Sequence, residues 1–198
     1  MGLNIEYSDG QTPLDDDEKE GLKIPAIITR GELDEFEQQN IEQAIIWTIK
    51  RKFRVDDILT EKFVKQIHRK MYADVWVWAG EFRTTNKNPG VDKWEIGAEL
   101  EKLLDDTKYW INHQTYSDDE IALRCKHRMV SIHCFTNGNG RHSRLMADII
   151  ISHAFKQPVF SWGTKHPTLP GESRSEYLKA IRVADNGDYL PLLDFARS

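Results

Sequence analysis

Hydrophobic residues along most of the chain recur with the three-to-four-residue spacing of helices that bury one face. In residues 32–53, the side chains of Leu33, Phe36, Ile41 and Ile45 form such a stripe. The same spacing predicts helices over residues 14–22, 56–72, 94–113, 118–133, 140–155, 172–184 and 190–196. A chain made almost entirely of such segments predicts an all-α fold, a helical bundle.

Two segments interrupt the helical pattern. Residues 79–92 combine turn formers with β-forming residues and have no helical period, which predicts a short hairpin or an extended flap. Residues 157–171 are rich in proline and glycine and are predicted to be a loop. We therefore expect the bundle to carry one small β-hairpin flap.

Composition narrows the class of protein. Of the 198 residues, 39% are hydrophobic and 30% are charged, which is typical of a soluble globular protein. Only two cysteines occur, Cys125 and Cys134, and they form no CxxC pair, so a disulfide-rich secreted scaffold is excluded. No apolar run approaches the roughly 18 residues of a membrane span, and no signal peptide is evident. These features predict a cytoplasmic protein without a membrane partner.

Charge is distributed unevenly along the chain. The formal net charge of −5 argues against a protein built to grip nucleic acid. Residues 1–40 contain eleven Asp or Glu and three Lys or Arg, a net charge of −8, whereas residues 41–198 have a net charge of +3. We therefore predict two parts, an acidic N-terminal arm (1–40) and a body (41–198). The arm is either a solvated tail or a segment that docks on a basic site.

One stretch carries most of the chemistry, the run His133-Cys134-Phe135-Thr136-Asn137-Gly138-Asn139-Gly140-Arg141-His142-Ser143-Arg144. Its glycines can turn backbone N–H groups inward, and the helix that follows offers a positive N-terminal end. Arg141 and Arg144 are three residues apart, so they share a face of that helix. Together these features predict a polyphosphate site, with His133 placed to take a proton from a hydroxyl. The competing interpretation is a glycine-rich helix connection with surface arginines.

This run resembles the Fic family motif HxFx[D/E]GNGRxxR. It matches at His133, Phe135, Gly138, Asn139, Gly140, Arg141 and Arg144. The segment Gly80–Arg83 is similar to the flap of that family, and residues 12–22 resemble the subgroup called mobile mystery protein B. The resemblance covers most of residues 41–198 and implies a Fic-like helical domain.

The resemblance implies transfer of AMP from ATP to a Ser, Thr or Tyr hydroxyl of a target protein, with release of pyrophosphate. His133 would be the general base, and Arg144 would reach the γ-phosphate. The flap would hold a target segment by strand addition. The implied phosphate-binding residues are Gly138, Asn139, Gly140, Arg141 and Arg144, and the implied flap residues are Thr84, Thr85 and Asn86.

One departure from the motif concerns the metal. Asn137 stands where the family usually has the Asp or Glu that binds Mg²⁺, and an amide brings no negative charge to that cation. This leaves two alternatives to AMP transfer open. One is a catalytically weak module that binds a nucleotide or a partner. The other is a phosphotransferase similar to the Doc branch, against which Gly140 argues because that branch carries a larger residue there.

The arm contains a partial match to a second Fic motif, [S/T]xxxE[G/N]. Glu20-Gly21 match its end, but Asp16 stands at the Ser/Thr position. The resemblance implies that Glu20 pairs with Arg144 and autoinhibits, whereas the simpler interpretation is one acid in a solvated helix. The sequence leaves the oligomeric state open, a homo-oligomer included.

Overall fold

A computed structural model of the chain describes residues 13–164 and 172–198; residues 1–12 of the predicted arm and 165–171 of the predicted loop lie outside this description. The predicted all-α class is confirmed. Within the described ranges, no helix is both long and apolar enough to cross a bilayer. In the described residues the helices are α1 (Asp16–Lys19), α2 (Arg30–Ile49), α3 (Val55–Ile58), α4 (Glu61–Tyr72), α5 (Ile96–His113), α6 (Asp118–Ile132), α7 (Asn139–Ala154), α8 (Glu172–Ala184) and α9 (Leu190–Arg197).

The helix predicted over residues 56–72 is in fact two helices, α3 and α4. The chain leaves helical geometry at Leu59 and is extended at Thr60, with a ψ of 147°. The Thr60 hydroxyl then accepts a hydrogen bond from the N–H of Phe63 at 3.2 Å and so caps α4. The apolar stripe continues across this break, which is why hydrophobic spacing alone missed it.

The centre of the molecule is the pair α6 and α7, which are joined by the glycine-rich run and pack against each other. Met129 and Ile132 of α6 and Met146 and Ile150 of α7 are at most 2% exposed. Burying side chains of this size contributes roughly 1.5–3 kcal/mol each. The two ends of the connecting loop are therefore anchored in the best-packed part of the fold.

Helix α2 packs on α4. It contains both the end of the predicted arm and the first residues of the predicted body. The predicted boundary at residue 40 falls inside this continuous helix. Leu33, Ile41 and Ala44 are buried along its inner face, as expected, whereas Phe36 and Ile45 of the predicted stripe are exposed. Glu37, a charged residue, is buried on the same face.

The flap is less regular than a hairpin. In the described part of the chain it contains no strand ladder, and its one strand-like contact is the antiparallel bridge between Phe82 and Phe135. The carbonyl of Val91, on its far side, accepts a hydrogen bond from the side chain of Arg83 rather than from a facing strand. This explains why β-forming residues in the sequence gave no second strand.

Phe135 provides a test of how firmly the loop is anchored. Its side chain is fully buried and stacks on His68, with ring centroids 3.7 Å apart. We expect Phe135→Ala to lower the free energy of unfolding by about 3–5 kcal/mol, measured by urea denaturation. Phe36→Ala is the matched control, because Phe36 is 39% exposed and should cost far less. Equal losses in both variants would contradict this anchoring role.

Candidate functional site

The loop between α6 and α7 has a backbone that its sequence makes possible. His133 ends α6 in the left-handed conformation with φ 57°, and Gly138 precedes α7 with φ 76°. A side chain at Gly138 would place its Cβ 2.5–2.6 Å from the ring of Tyr72, so only glycine fits there. The loop is therefore folded tightly against α4, and the first N–H groups of α7 have no acceptor within that helix.

Asn139 fixes the shape of this loop. Its Oδ1 accepts a hydrogen bond from the backbone N–H of Phe135 at 2.9 Å, and its Nδ2 donates to the Phe135 carbonyl at 2.7 Å. The side chain is buried, and both ends of its amide are used. Asn139 therefore acts on the loop, and any contribution to phosphate binding comes from its backbone.

Arg83 ties the flap to the loop. Its side chain is almost fully buried, with Nε donating to the His133 carbonyl at 2.6 Å and Nη1 to the Thr85 carbonyl at 2.7 Å. The backbone N–H of Arg83 also donates to the Cys134 carbonyl at 3.0 Å. The guanidinium of Arg83 thus bonds to both segments at once: the flap, predicted to bind the target, and the loop that carries His133, predicted to take up the proton.

His133 lies at the centre of this arrangement and is 5% exposed. Burial lowers the pKa of its imidazole to about 4, and the positive charges of Arg83 and Lys87 act in the same direction. The ring is therefore neutral at physiological pH. A neutral imidazole can accept a proton, which is what a general base requires.

The two arginines of the motif have different partners. Arg141 forms an ion pair with Glu37, with Nη2 and Oε2 2.6 Å apart, and Trp76 donates its indole N–H to Oε1 of the same carboxylate at 2.6 Å. The sequence prediction of Arg141 as a phosphate ligand did not include Glu37 or Trp76. A signal for Glu37 was present, since an acid interrupts the buried stripe of α2.

Arg144 instead lies over the ring of Tyr177, with its Cζ 5.2 Å from the ring centroid. Among the described residues its buried Nε has no hydrogen-bond partner, and no carboxylate pairs with it. The ammonium of Lys126, which is fully buried, donates to the hydroxyl of the same tyrosine. Burial, and then the charge of Arg144, hold the pKa of Lys126 well below its usual value. The guanidinium of Arg144, without a carboxylate partner among the described residues, favours an anionic ligand here.

Asn137 is turned toward its own loop. Its Oδ1 accepts the N–H of Gly138 at 2.6 Å, and its carbonyl lies 3.0 Å from Nε2 of His68. Over residues 13–164 and 172–198, no three His, Cys, Asp or Glu side chains converge to hold a metal ion. Asn137, the one metal ligand that the sequence assigns, brings no negative charge to the site, whereas Mg²⁺ usually takes one or two carboxylates.

The arm and the flap meet, but through different residues from those predicted. Glu20 is exposed, and the structure does not form the predicted pair with Arg144. Glu18 contacts the flap instead, accepting a hydrogen bond from the Thr85 hydroxyl at 3.1 Å. Asn86 bonds to Asp92, with Nδ2 3.0 Å from Oδ2, within the flap itself.

The backbone of the flap is also engaged. The carbonyl of Thr84 accepts a hydrogen bond from the Lys93 ammonium at 2.8 Å, and the N–H of Lys93 donates to Asn86 Oδ1 at 2.8 Å. The predicted flap residues therefore lie together beside His133, to which Arg83 links them. All three already have hydrogen-bond partners, since Thr85 bonds to Arg83 through its carbonyl and to Glu18 through its hydroxyl.

Comparison with known proteins agrees with this geometry. Residues 58–151 match the model of the Fic/DOC family. The chain is 28% identical over 141 residues to "Protein adenylyltransferase Fic" of Drosophila grimshawi, covering 69% of this chain and 28% of that protein. It is 30% identical over 149 residues to "Protein adenylyltransferase fic-1" of Caenorhabditis elegans, covering 71% and 26%. The chain thus spans little more than a quarter of the length of these relatives.

Solved structures share the fold. BepC from Bartonella tribocorum, with bound AMPPNP, superposes with a TM-score of 0.65 at 18% identity, covering 96% of this chain and 93% of that one. A fragment of Fic-1 from C. elegans superposes with a TM-score of 0.60 at 23% identity, covering 80% and 46%. The predicted Fic-like fold is therefore confirmed.

The environment of His133 gives a pH prediction. Unfolded histidine titrates near pH 6.5, whereas the folded pKa is about 4. The His133 ring signals in an NMR titration should stay constant from pH 8 to about 5.5, and those of the urea-unfolded chain should shift near 6.5. Because the unfolded chain takes up this proton first, His133 should make folding less favourable as the pH falls from 6.5 to 4. An inflection near 6.5 in the folded protein would refute this, and His133→Gln assigns the signal.

Proposed function

Residues 58–151 are a Fic/DOC-family segment, and on that premise we propose that this chain is a protein adenylyltransferase. It transfers AMP from ATP to a Ser, Thr or Tyr hydroxyl on a target protein. The observation that carries the proposal is a buried, neutral imidazole, His133, at the start of the short loop that leads into α7, the helix that carries Arg144. The names of the relatives support the choice of reaction.

In the proposed reaction, the target oxygen attacks the α-phosphorus of ATP. An O–P bond forms to the target, the bond from the α-phosphorus to the bridging oxygen breaks, and pyrophosphate leaves with that electron pair. His133 takes the proton of the attacking hydroxyl. The N–H groups of Gly140 and its neighbours at the start of α7, together with Arg144, stabilise the phosphate charge.

The two arginines divide the phosphate site. Arg144 has no carboxylate partner among the described residues and is the proposed ligand of the terminal phosphates. Arg141 is neutralised by Glu37, so it contributes less charge than the motif alone implies. Of the loop glycines, Gly140 has open space where a Cβ would lie and can let the phosphates approach the backbone, whereas Gly138 packs on Tyr72 and donates its N–H to Asn137.

Mg²⁺ enters this proposal as the counter-ion of ATP. Asn137 is the one candidate protein ligand that the sequence assigns, and its amide oxygen would first have to release the Gly138 N–H. A cation carried by the nucleotide would supply additional charge neutralisation at the phosphates.

Target recognition is assigned to the flap. Thr84, Thr85 and Asn86 would present backbone to an extended target segment. The cytosol is the proposed compartment, supported by two buried cysteines that are both free thiols. The arm is proposed to restrain the enzyme, and Glu20 can do so only by leaving its exposed position and reaching Arg144.

A second candidate is a nucleotide-binding module with weak catalysis. The pairing of Arg141 with Glu37 and the amide at Asn137 favour it, because both lower the charge available to a triphosphate. This module would keep ATP affinity without forming an adduct on protein.

Mass spectrometry of the intact chain with ATP and Mg²⁺ tests the proposal. The wild type and Glu20→Gly should gain AMP. His133→Ala should lose about 10²–10⁴-fold in rate while calorimetry shows nucleotide affinity within a few-fold of wild type. An added phosphate would instead indicate the Doc-like phosphotransferase, and ATP binding without any adduct would indicate the weak module. Equal rates in wild type and Glu20→Gly would remove Glu20 from any inhibitory role.

Asn137→Asp tests the metal assignment separately. A carboxylate is a better ligand than an amide for a hard divalent cation, so this variant should need less Mg²⁺ for half-maximal AMP transfer and should transfer faster. Asn137→Ala should raise the Mg²⁺ requirement. An unchanged Mg²⁺ dependence in both variants would show that residue 137 does not contact the metal.

A further inference from the structure

The flap carries a second charged site beside the proposed reaction centre. We propose that Lys87 and Thr85 form a carboxylate-binding site that recognises an acidic segment of the target protein next to the hydroxyl to be modified. In this structure α1 fills that site with its own carboxylates. The inference rests on the proposed function and names the chemistry of its substrate.

The geometry of the site is that of a carboxylate receptor. The Lys87 ammonium lies 2.7 Å from Oε2 of Glu18 and 2.8 Å from Oδ2 of Asp15. The Thr85 hydroxyl donates to the other oxygen of Glu18 at 3.1 Å. Both oxygens of one carboxylate are thus bound, and a second carboxylate three residues earlier shares the ammonium.

The contact between Lys87 and Glu18 differs from an ordinary surface ion pair, although Asp15, the second carboxylate, is 59% exposed. The side chains of Lys87 and Glu18 are only 6% and 12% exposed. In the surface pair of Arg54 and Asp57 the corresponding values are 82% and 48%. Because water screens the charges of an exposed pair, such a pair contributes little to stability. A lysine shielded from water instead needs an anion to compensate for its lost hydration. Lys87 is therefore built to be covered by a carboxylate.

The position of the site links it to the reaction. Arg83 donates to the carbonyls of both Thr85 and His133, so the two backbones adjoin the same guanidinium. The charge of Lys87 is also close enough to lower the pKa of His133. A target that brings a hydroxyl to His133 must therefore pass its neighbouring residues over Thr85 and Lys87.

The present occupant indicates what the site accepts. Helix α1 is four residues long, too short to be stable without its contacts to the body. It is held partly by side chains, including the Trp78 indole N–H that donates to the Glu18 carbonyl at 3.1 Å. A target segment with two closely spaced carboxylates presents the same groups and competes with α1.

The experiment uses the full chain and two synthetic peptides. Both contain one tyrosine, which in the first peptide is flanked by two glutamates and in the second by two glutamines. Wild type should transfer AMP to the acidic peptide with a kcat/KM about tenfold higher. Lys87→Met should reduce this ratio to about one. Glu18→Gln should raise the rate on the acidic peptide several-fold, and Asp17→Asn, exposed on the same turn, should not change it.

Other outcomes would overturn the proposal. A ratio that survives Lys87→Met would show that the lysine does not recognise the acid. A KM for ATP that rises equally with both peptides in that variant would assign Lys87 to the phosphates instead.

Peptide binding is measured by calorimetry in parallel, so that the result does not depend on catalysis. Binding of the acidic peptide that is lost in Lys87→Met, without AMP transfer in any variant, would leave this site standing and reject the adenylyltransferase. Equal binding of both peptides to Glu18→Gln would reject the site itself.

Discussion

The site depends on the hydrogen bonds that the buried guanidinium of Arg83 donates to the backbone. This guanidinium faces backbone carbonyls rather than a carboxylate, and these carbonyls come from both the flap and the end of α6. A buried cation can be satisfied in this way only if the surrounding backbone is fixed, because every misplaced carbonyl would leave an N–H without a partner. The flap thus needs no strand ladder to hold its place beside His133.

Charge inside the loop region is balanced unevenly. Arg141 is neutralised by Glu37, whereas Arg144 and Lys126 surround the ring of Tyr177 without a carboxylate partner among the described residues. Lone buried charges are costly, and the depressed pKa of Lys126 shows one response to that cost. An anionic ligand would provide another. The positive charge that no described carboxylate neutralises thus lies at Arg144.

The sequence was most informative where the determinants of structure are local. The run from His133 to Arg144 predicted a turn, the start of a helix and two arginines on one face of that helix. All three features depend on residues that are close together in the chain. The sequence could not predict the contacts of Glu37 and Lys126. Their partners, Arg141 and Tyr177, lie about a hundred and about fifty residues away in the chain. A helical stripe predicts that a position is buried but does not say which distant charge will meet it.

Other failures had different causes. The break at Thr60 had a local signal, a capping threonine, which the uninterrupted apolar spacing concealed. The flap contained β-forming residues, but the Arg83 side chain took the carbonyl of Val91. The sequence left open whether the acidic arm is a solvated tail or docks on a basic group; in the structure Glu18 contacts Lys87, and the predicted pair of Glu20 and Arg144 is not formed.

The side chain of Asn139 has a consequence for ligand capture. Because its amide bonds to both the N–H and the carbonyl of Phe135, contacts within the chain itself fix the backbone of the loop. Little conformational entropy is then lost on association, and the affinity that the N–H groups provide is not spent on ordering the chain. The loop would therefore act as a preorganised binding site and not as a segment that folds around its ligand.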